Sequence, residues 1–485
     1  MTVSSPVLAA AVPSVAPPRS SLPPRSSLPP HSRGVLEMIG NTPLLRVRHL
    51  DTGPCELYLK LENQNPAGSI KDRVALSMIE AAERDGRLAP GGTIIEATAG
   101  NTGLGLALVA SQKGYRLILV VPDKMSREKV LHLQALGAQV ILTRSDVGKG
   151  DPDYYQDRAA RLAATIPGAF YIDQFNNEAN PLAHETGTGP EIWAQMQQEV
   201  DAVVVGVGSS GTLSGLSRFF ARVSPHTEFV LADPQGSILA DHIEHGHHGA
   251  AGSWLVEGIG EDFIPPLADF GKVGRSYRVS DRQSFDSARE LLRHEGILGG
   301  SSTGTLLAAA LQYCRAQTTP KRVVTFVCDS GNKYLSKMYN DFWLFDQGLH
   351  QPPQVGNITD LIARRHDHGH SVVCHPDEPL TVVYQRMRLH DVSQLPVIDG
   401  ERVIGLIDEW DLLMSVHGEP ENFHQPVFTA MSSNVETISP RASLQDLLLV
   451  FNNGHIAVVI ERERYLGLIT QSDLLTYWRQ RVGAA

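Results

Sequence analysis

Six short runs between residues 93 and 328 are almost wholly apolar: TIIEA (93–97), RLILVV (116–121), AQVILT (138–143), DAVVVGV (201–207), EFVLAD (228–233) and RVVTFVC (322–328). Short runs without polar alternation suit strands covered on both faces, as in a parallel sheet with helices on either side. Between them lie stretches with apolar residues at helical spacing, such as NTGLGLALVASQKG and SREKVLHLQALG, several stopping at a glycine that suits a helix C-cap. The alternation predicts an α/β domain over 34–345.

After QGLHQPPQVG (347–356) the texture changes, and we place a linker at 346–357. LPVIDGERVIGLIDEWDLL (395–413) and IAVVIERERYLGLITQSDLL (456–475) then repeat one pattern: a strand, a charged turn, a strand ending in Gly-Leu-Ile, and a helix opening on Asp-Leu-Leu. Two units, 358–418 and 425–482, are expected to form a separate α+β domain. At the other end, residues 1–33 are rich in Pro, Ser and Ala, with PRSSLPP at 18–24 and 24–30. Such a segment cannot offset its ordering entropy by burial and is expected to be a mobile tail. Its apolar stretch VLAAAV lacks the basic flank and length of a secretory signal.

Composition narrows the function classes. A chain of 485 residues is too long for one core. A net charge of −11 offers no basic face for nucleic acid, and no apolar run approaches the ~20 residues of a membrane span. Cys55, Cys314, Cys328 and Cys374 form no CxxC pair, which argues against a disulfide framework or a zinc site and fits a cytoplasmic protein. The irregular histidines of HIEHGHHG (242–249) read as a solvated insertion, so no metal is expected.

The candidate chemistry lies in turns that open helices. GVGSSG (206–211) follows an apolar run and has Asp233 about 20 residues on, the spacing of a dinucleotide site, although a plain strand-to-helix turn fits as well. In either ligand-binding reading the backbone N–H groups of Gly208, Ser209, Ser210, Gly211 and Thr212 suit a phosphate. EATAGNTGLGLA (96–107) presents Thr98, Asn101 and Thr102 among glycines, a cradle for a small carboxylate or simply a capped helix start. EGILGGSSTGTLLAAA (295–310) is a third such turn. In NPAGSIKDR (65–73), Lys71 stands at the start of a helical run, where a cation opposes the helix dipole. Asp72 and Arg73 read as its solvated or structural neighbours. A dinucleotide would leave Lys71 and two of the turns without a role.

Taken in order, NPAGSIKDR, EATAGNTGLGLA, GVGSSGTLSG, VEGIGEDFIP (256–265) and GILGGSSTG (296–304) strongly resemble the fold-type II pyridoxal-phosphate enzymes of β-replacement, the cysteine synthase and cystathionine β-synthase family, over 34–345. The resemblance implies a tryptophan-synthase-β-like fold and pyridoxal 5'-phosphate bonded to Lys71. It implies Asn101 at the cofactor's ring hydroxyl, 208–212 at its phosphate and Ser301 at its pyridine nitrogen. It puts Thr98, Ala99, Gly100, Thr102 and Gln174 around the substrate carboxylate and Gly258 near the amino-acid substrate. The lysine must be neutral for part of the cycle, so its pKa should be lowered. A serine at the pyridine nitrogen leaves it unprotonated and favours elimination at Cβ. Ala99 stands where many relatives have Ser, and Glu261 where animal and yeast enzymes have Tyr. The Cys-Pro-Trp haem segment of the animal enzymes has no counterpart, and His31 and His49 lack a cysteine partner, so no haem is expected.

The C-terminal repeat resembles a tandem pair of CBS domains, the Bateman module. Gly467 to Asp473 fits its Gly-x-(Ile/Val)-(Ser/Thr)-x-x-Asp run, while Gly405 to Asp411 has Asp408 at the hydroxyl position. This implies an adenosyl ligand, S-adenosylmethionine or an adenine nucleotide, at Asp411, Thr470 and Asp473, with helix capping or a dimer-forming role as alternatives. The whole implies condensation of serine with homocysteine by a homodimer or higher oligomer. Alternatives are a cysteine synthase using O-acetylserine and sulfide, a serine/threonine dehydratase, a dinucleotide-dependent oxidoreductase and a catalytically silent nucleotide sensor.

Overall fold

The computed structural model describes residues 34–482 except 99, 124, 145, 148–149, 248 and 350–355, so the expected tail, Ala99 and the middle half of the linker lie outside the described residues. The apolar runs divide between two sheets instead of one. In chain order the strands are β1 (Leu44–Arg46), β2 (Glu56–Lys60), β3 (Thr93–Ala97), β4 (Arg116–Pro122), β5 (Gln139–Thr143), β6 (Ala169–Tyr171), β7 (Ala202–Val205), β8 (Glu228–Pro234), β9 (Val273–Val279) and β10 (Arg322–Phe326). One sheet has the order β1-β2-β10-β7-β8-β9 and the other β5-β4-β3-β6. All neighbours run parallel except β1 and β2.

Every residue of β3 and β7 is buried, as unbroken apolar runs require. β5 departs from that expectation: it is an edge strand with one neighbour, and Leu142 is 54% exposed. One apolar core surrounds the six-stranded sheet and includes Val203, Leu231, Leu306 and Phe326. A second, with Val74, Met78, Ile94, Leu104 and Leu119, covers the four-stranded one.

The helix Lys71–Arg84 packs in the second core, yet its entry is tied to the first sheet, because the Ile70 N–H donates to the Cys328 carbonyl just past β10 (2.9 Å). Lys71 therefore sits at the seam between the two halves. The helix Asn101–Lys113 crosses it closely at Gly105, where a Cβ would stand 2.8 Å from the Lys71 carbonyl oxygen.

The C-terminal repeat is visible in three dimensions. Gln394–Asp399 pairs antiparallel with Arg402–Asp408, and Ala457–Glu461 with Arg464–Ile469, each hairpin with a register shift two-thirds along its first strand. Helices Glu409–Val416 and Gln471–Val482 follow. The module meets the N-terminal α/β half where Arg479 Nη2 donates to the Asp346 carbonyl (2.5 Å) and the Arg364 guanidinium lies 4.4 Å from the Phe342 ring centre.

Candidate active site

Four helices, Lys71–Arg84, Asn101–Lys113, Gly211–Val223 and Ser301–Arg315, begin around one cavity of about 460 Å³ at the seam. Helix N-termini carry unpaired N–H groups, so the cavity is built to receive anions. The structure brings to its wall Lys71, Thr98, Gly100, Asn101, Thr102, Gln174, Gly208, Ser209, Ser210, Gly211, Thr212 and Gly258.

Lys71 owes its place to the preceding turn. The Gly68 N–H donates to the Asn65 carbonyl (2.7 Å), and Gly68 takes φ = +76°, where a side chain would strain. Burial lowers the Lys71 pKa, while Cys328 and the Glu261 carboxylate act in the opposite direction. Its neighbours are structural and not solvated. Asp72 is fully buried and accepts the Ala67 N–H (2.6 Å), and Arg73 is gripped by Glu62 and Glu191. Burial pushes Asp72 up to about 7, against the hydrogen bond from Ala67.

Across the cavity, Ser210 adopts a left-handed φ of 68° to open the helix at Gly211. A Cβ on Gly211 would lie 1.9 Å from Asn180 Oδ1, so no other residue fits without displacing that amide. Asn180 Nδ2 donates to the Gln174 carbonyl and to Ser209 Oγ (both 2.9 Å), while its buried Oδ1 has no hydrogen-bond partner. Thr212 Oγ1 lies 3.3 Å from His184 Nε2, and burial, reinforced by Lys71 and Arg73, holds that imidazole neutral. On the same wall, Thr102 Oγ1 donates to Gln174 Oε1 (2.8 Å), and the Gly100 N–H donates to Thr98 Oγ1 (3.2 Å).

Ser301 is not brought to the wall. Its Oγ accepts the Glu257 N–H (3.0 Å), and its neighbour Ser302 faces the cavity beside Cys328. The acid of the dinucleotide spacing is also turned away, because Asp233 is buried and accepts the Ala240 N–H (2.9 Å) at the next helix.

A family profile described as "Pyridoxal-phosphate dependent enzyme" matches residues 35–329, and one described as "CBS domain" matches 362–418 and 427–479. A protein named cystathionine beta-synthase from Dictyostelium discoideum is 35% identical over 460 residues, covering 91% of each chain. One of the same name from Saccharomyces cerevisiae is 35% identical, covering 91% of this chain and 97% of its own. The chain belongs to the pyridoxal-phosphate-dependent cystathionine beta-synthase family. A hydrogen sulfide-producing enzyme from Fusobacterium nucleatum shares the fold at TM-score 0.59 and 35% identity, over 63% of this chain and all of its own.

Pyridoxal phosphate is the cofactor of this family member, and the residues present fit it. The cavity wall offers an amine and a glycine-constrained helix start with hydroxyls at 209, 210 and 212 that suit the phosphate. Sequence reasoning missed a second group in the wall. Lys129 is 1% exposed, and its Nζ donates to Glu257 Oε2 (2.5 Å) and Tyr334 Oη (3.0 Å). Lys337 closes the group on Glu257 Oε1 (2.7 Å). Nothing in SREKV marks its lysine as buried, since its partners are 128 and 205 residues away.

In the C-terminal pair, Asp411 and Asp408 cap their helix reciprocally, each accepting the other's N–H. Asp473 Oδ2 accepts both the N–H and the hydroxyl of Thr470 (2.7 Å each). A cavity of about 490 Å³ lies where the module meets the catalytic half, lined by Phe342, Arg364, His370 and Arg386. Asp411, Thr470 and Asp473 are not in its wall.

Proposed function

We propose that this chain condenses L-serine with L-homocysteine, giving L-cystathionine and water. The observation that carries the reading is a desolvated Lys71 that shares one cavity with the 208–212 helix start and the Thr98–Thr102 loop. The relatives named cystathionine beta-synthase, matched over both the catalytic half and the CBS pair, support the choice of reaction.

Bound pyridoxal phosphate supplies an electron sink that lets the α-proton and the β-substituent of an amino acid depart. Gly208, Ser209, Ser210, Gly211 and Thr212 would hold its phosphate, and Asn101 would donate to its ring hydroxyl. Ser301, or its neighbour Ser302 on the cavity wall, would present a hydroxyl to its ring nitrogen, and a neutral hydroxyl there leaves that nitrogen without a proton. Thr98, Gly100, Thr102 and Gln174 hold the substrate carboxylate, and Gly258 borders the amino acid. Lys71 Nζ would hold the cofactor and would serve as the base that takes the α-proton; burial favours its neutral form, which a base requires. The serine hydroxyl would depart with the thiol proton of homocysteine as water, the homocysteine sulfur would bond to Cβ, and Lys71 would return the α-proton to Cα.

The same proposal includes an adenosyl ligand at the CBS pair and a homodimeric assembly. What supports the ligand is the pair of matched CBS units. Product identification by mass spectrometry tests the reaction, with L-serine or O-acetyl-L-serine against homocysteine or sulfide. Cystathionine from serine and homocysteine is expected. Cysteine formed only from O-acetylserine and sulfide would overturn the reading in favour of a cysteine synthase.

A further inference from the structure

Asn101 is held by two charged side chains that reach it from the loop after β10. Asn101 Nδ2 donates to Asp329 Oδ2 (2.8 Å), and Lys333 Nζ donates to Asn101 Oδ1 (2.8 Å). Lys333 Nζ also donates to the Gly68 carbonyl (3.1 Å), in the turn that sets Lys71. Asp329 is fully buried and is held in turn by the Tyr334 hydroxyl (2.7 Å). The three segments come from two parts of the fold. Gly68 and Asp329 are joined to the six-stranded sheet through the Ser69–Asp329 bridge, and Asn101 follows β3 of the other sheet.

A primary amide has two N–H donors and one carbonyl acceptor. With an ammonium on the oxygen and a carboxylate on the nitrogen, one orientation is favoured, because a flip would set NH₂ against NH₃⁺ and C=O against COO⁻. One N–H then remains to face the cavity, so Asn101 can meet an electron-rich oxygen and rejects a donor. Burial lowers Lys333 to about 8, with the Asp329 carboxylate opposing, so the amine is mostly an ammonium at neutral pH. The other charged groups near it are Lys129 and Asp72, and His132 senses its charge.

We infer that Lys333 and Asp329 are positioning residues that lock the Asn101 amide with its N–H toward the cofactor's ring oxygen, and that Lys333 ties this lock to the turn carrying Lys71. The inference rests on the reading that Asn101 meets the ring hydroxyl. It goes beyond that reading by assigning the orientation of the amide to two residues that touch neither cofactor nor substrate.

The test is a double-mutant cycle on cofactor binding, read without turnover. Pyridoxal phosphate is titrated into the cofactor-stripped full-length chain, and its yellow absorbance is followed for the wild type, Lys333→Met, Asn101→Ala and the double variant. Losing a charge-assisted hydrogen bond that acts through Asn101 should weaken binding about tenfold in Lys333→Met. In the Asn101→Ala background the same substitution should change affinity by less than about twofold. Unchanged affinity in Lys333→Met, or full multiplication of the two losses in the double variant, would overturn the inference. Unchanged affinity in Asn101→Ala would instead overturn the reading beneath it. Should Lys333→Met fail to fold, Lys333→Gln, which keeps a donor on a shorter stem, enters the same cycle with the same outcomes.

Discussion

Replacing Arg73 with Met should destabilise the catalytic half by about 3–5 kcal/mol, the cost of breaking a buried ion pair by removing one partner. The guanidinium donates to Glu62 through Nε (2.7 Å) and Nη2 (2.8 Å), to Glu191 through Nη1 and Nη2 (2.7 Å each), and to Thr42 Oγ1 (3.2 Å). Without it, Glu191 keeps Lys60 (2.7 Å) and the Asn41 N–H (2.9 Å), so that carboxylate stays compensated. Glu62 does not. It is fully buried and would retain only the Thr42 hydroxyl (2.7 Å) and the Asn65 amide (2.8 Å). The loss is a large share of the roughly 5–15 kcal/mol that holds a domain folded.

Urea unfolding followed by tryptophan fluorescence, fitted as separate transitions for the two halves, measures it. Removing both charges in Arg73→Met/Glu62→Gln should recover part of the loss, because no unpaired ion then remains. An acid limb gives a second readout. Burial alone would raise Glu191, but Arg73 and Lys60 overcome it and hold the carboxyl at about 2, below its ordinary 4.5. Its contribution is therefore complete above about pH 4.5 and is lost as pH falls toward 2, and this limb should move to higher pH in Arg73→Met. A variant within about 1 kcal/mol of wild type, the range of an exposed pair, would refute the reasoning.

Gly211→Ala sets a methyl 1.9 Å from an amide oxygen whose nitrogen is pinned twice, so pyridoxal phosphate affinity should fall at least about tenfold; unchanged affinity in a titration would contradict the cradle. Burial, then Asp173, pushes Glu96 up to about 8, so the folded state keeps a proton that the unfolded state releases, and wild-type stability falls as pH rises from about 4.5 to 8. Glu96→Gln lacks this term, and its thermal midpoint should gain on wild type across that window; a constant difference would refute it. Calorimetry with S-adenosylmethionine, ATP and AMP should give heat with at least one, reduced in Asp473→Asn, and no heat with any would leave the module a scaffold.

The motifs legible in the sequence were those whose chemistry is local. Glycines that take positive φ or let backbones approach, such as Gly68 and Gly105, sit beside the residues they position, so Lys71 and the 208–212 cradle could be found from a few neighbouring letters. Ser301 and Ser302 show where that stops. Two serines at one helix start are equivalent as text, and their surroundings part only through the rotation of that helix, which sets Ser301 against the Glu257 N–H and Ser302 beside Cys328. Nothing in the letters beside Arg73, Lys129 and Lys333 marks them as buried, because each meets partners distant in sequence: Glu191, Tyr334 and Asn101. The division into two sheets was equally hidden, since β3 and β7 carry the same apolar signature and nothing in either run says which neighbour it pairs with.

The central claim is that Lys71 carries the cofactor. Reduction of the yellow full-length protein with borohydride fixes the cofactor to whatever amine it is bonded to, and peptide mass spectrometry then locates it. The account predicts a pyridoxyl mass on the peptide containing Lys71, and none there in Lys71→Ala. A pyridoxyl group on Lys129 or Lys333 instead, or on no lysine at all, would contradict it.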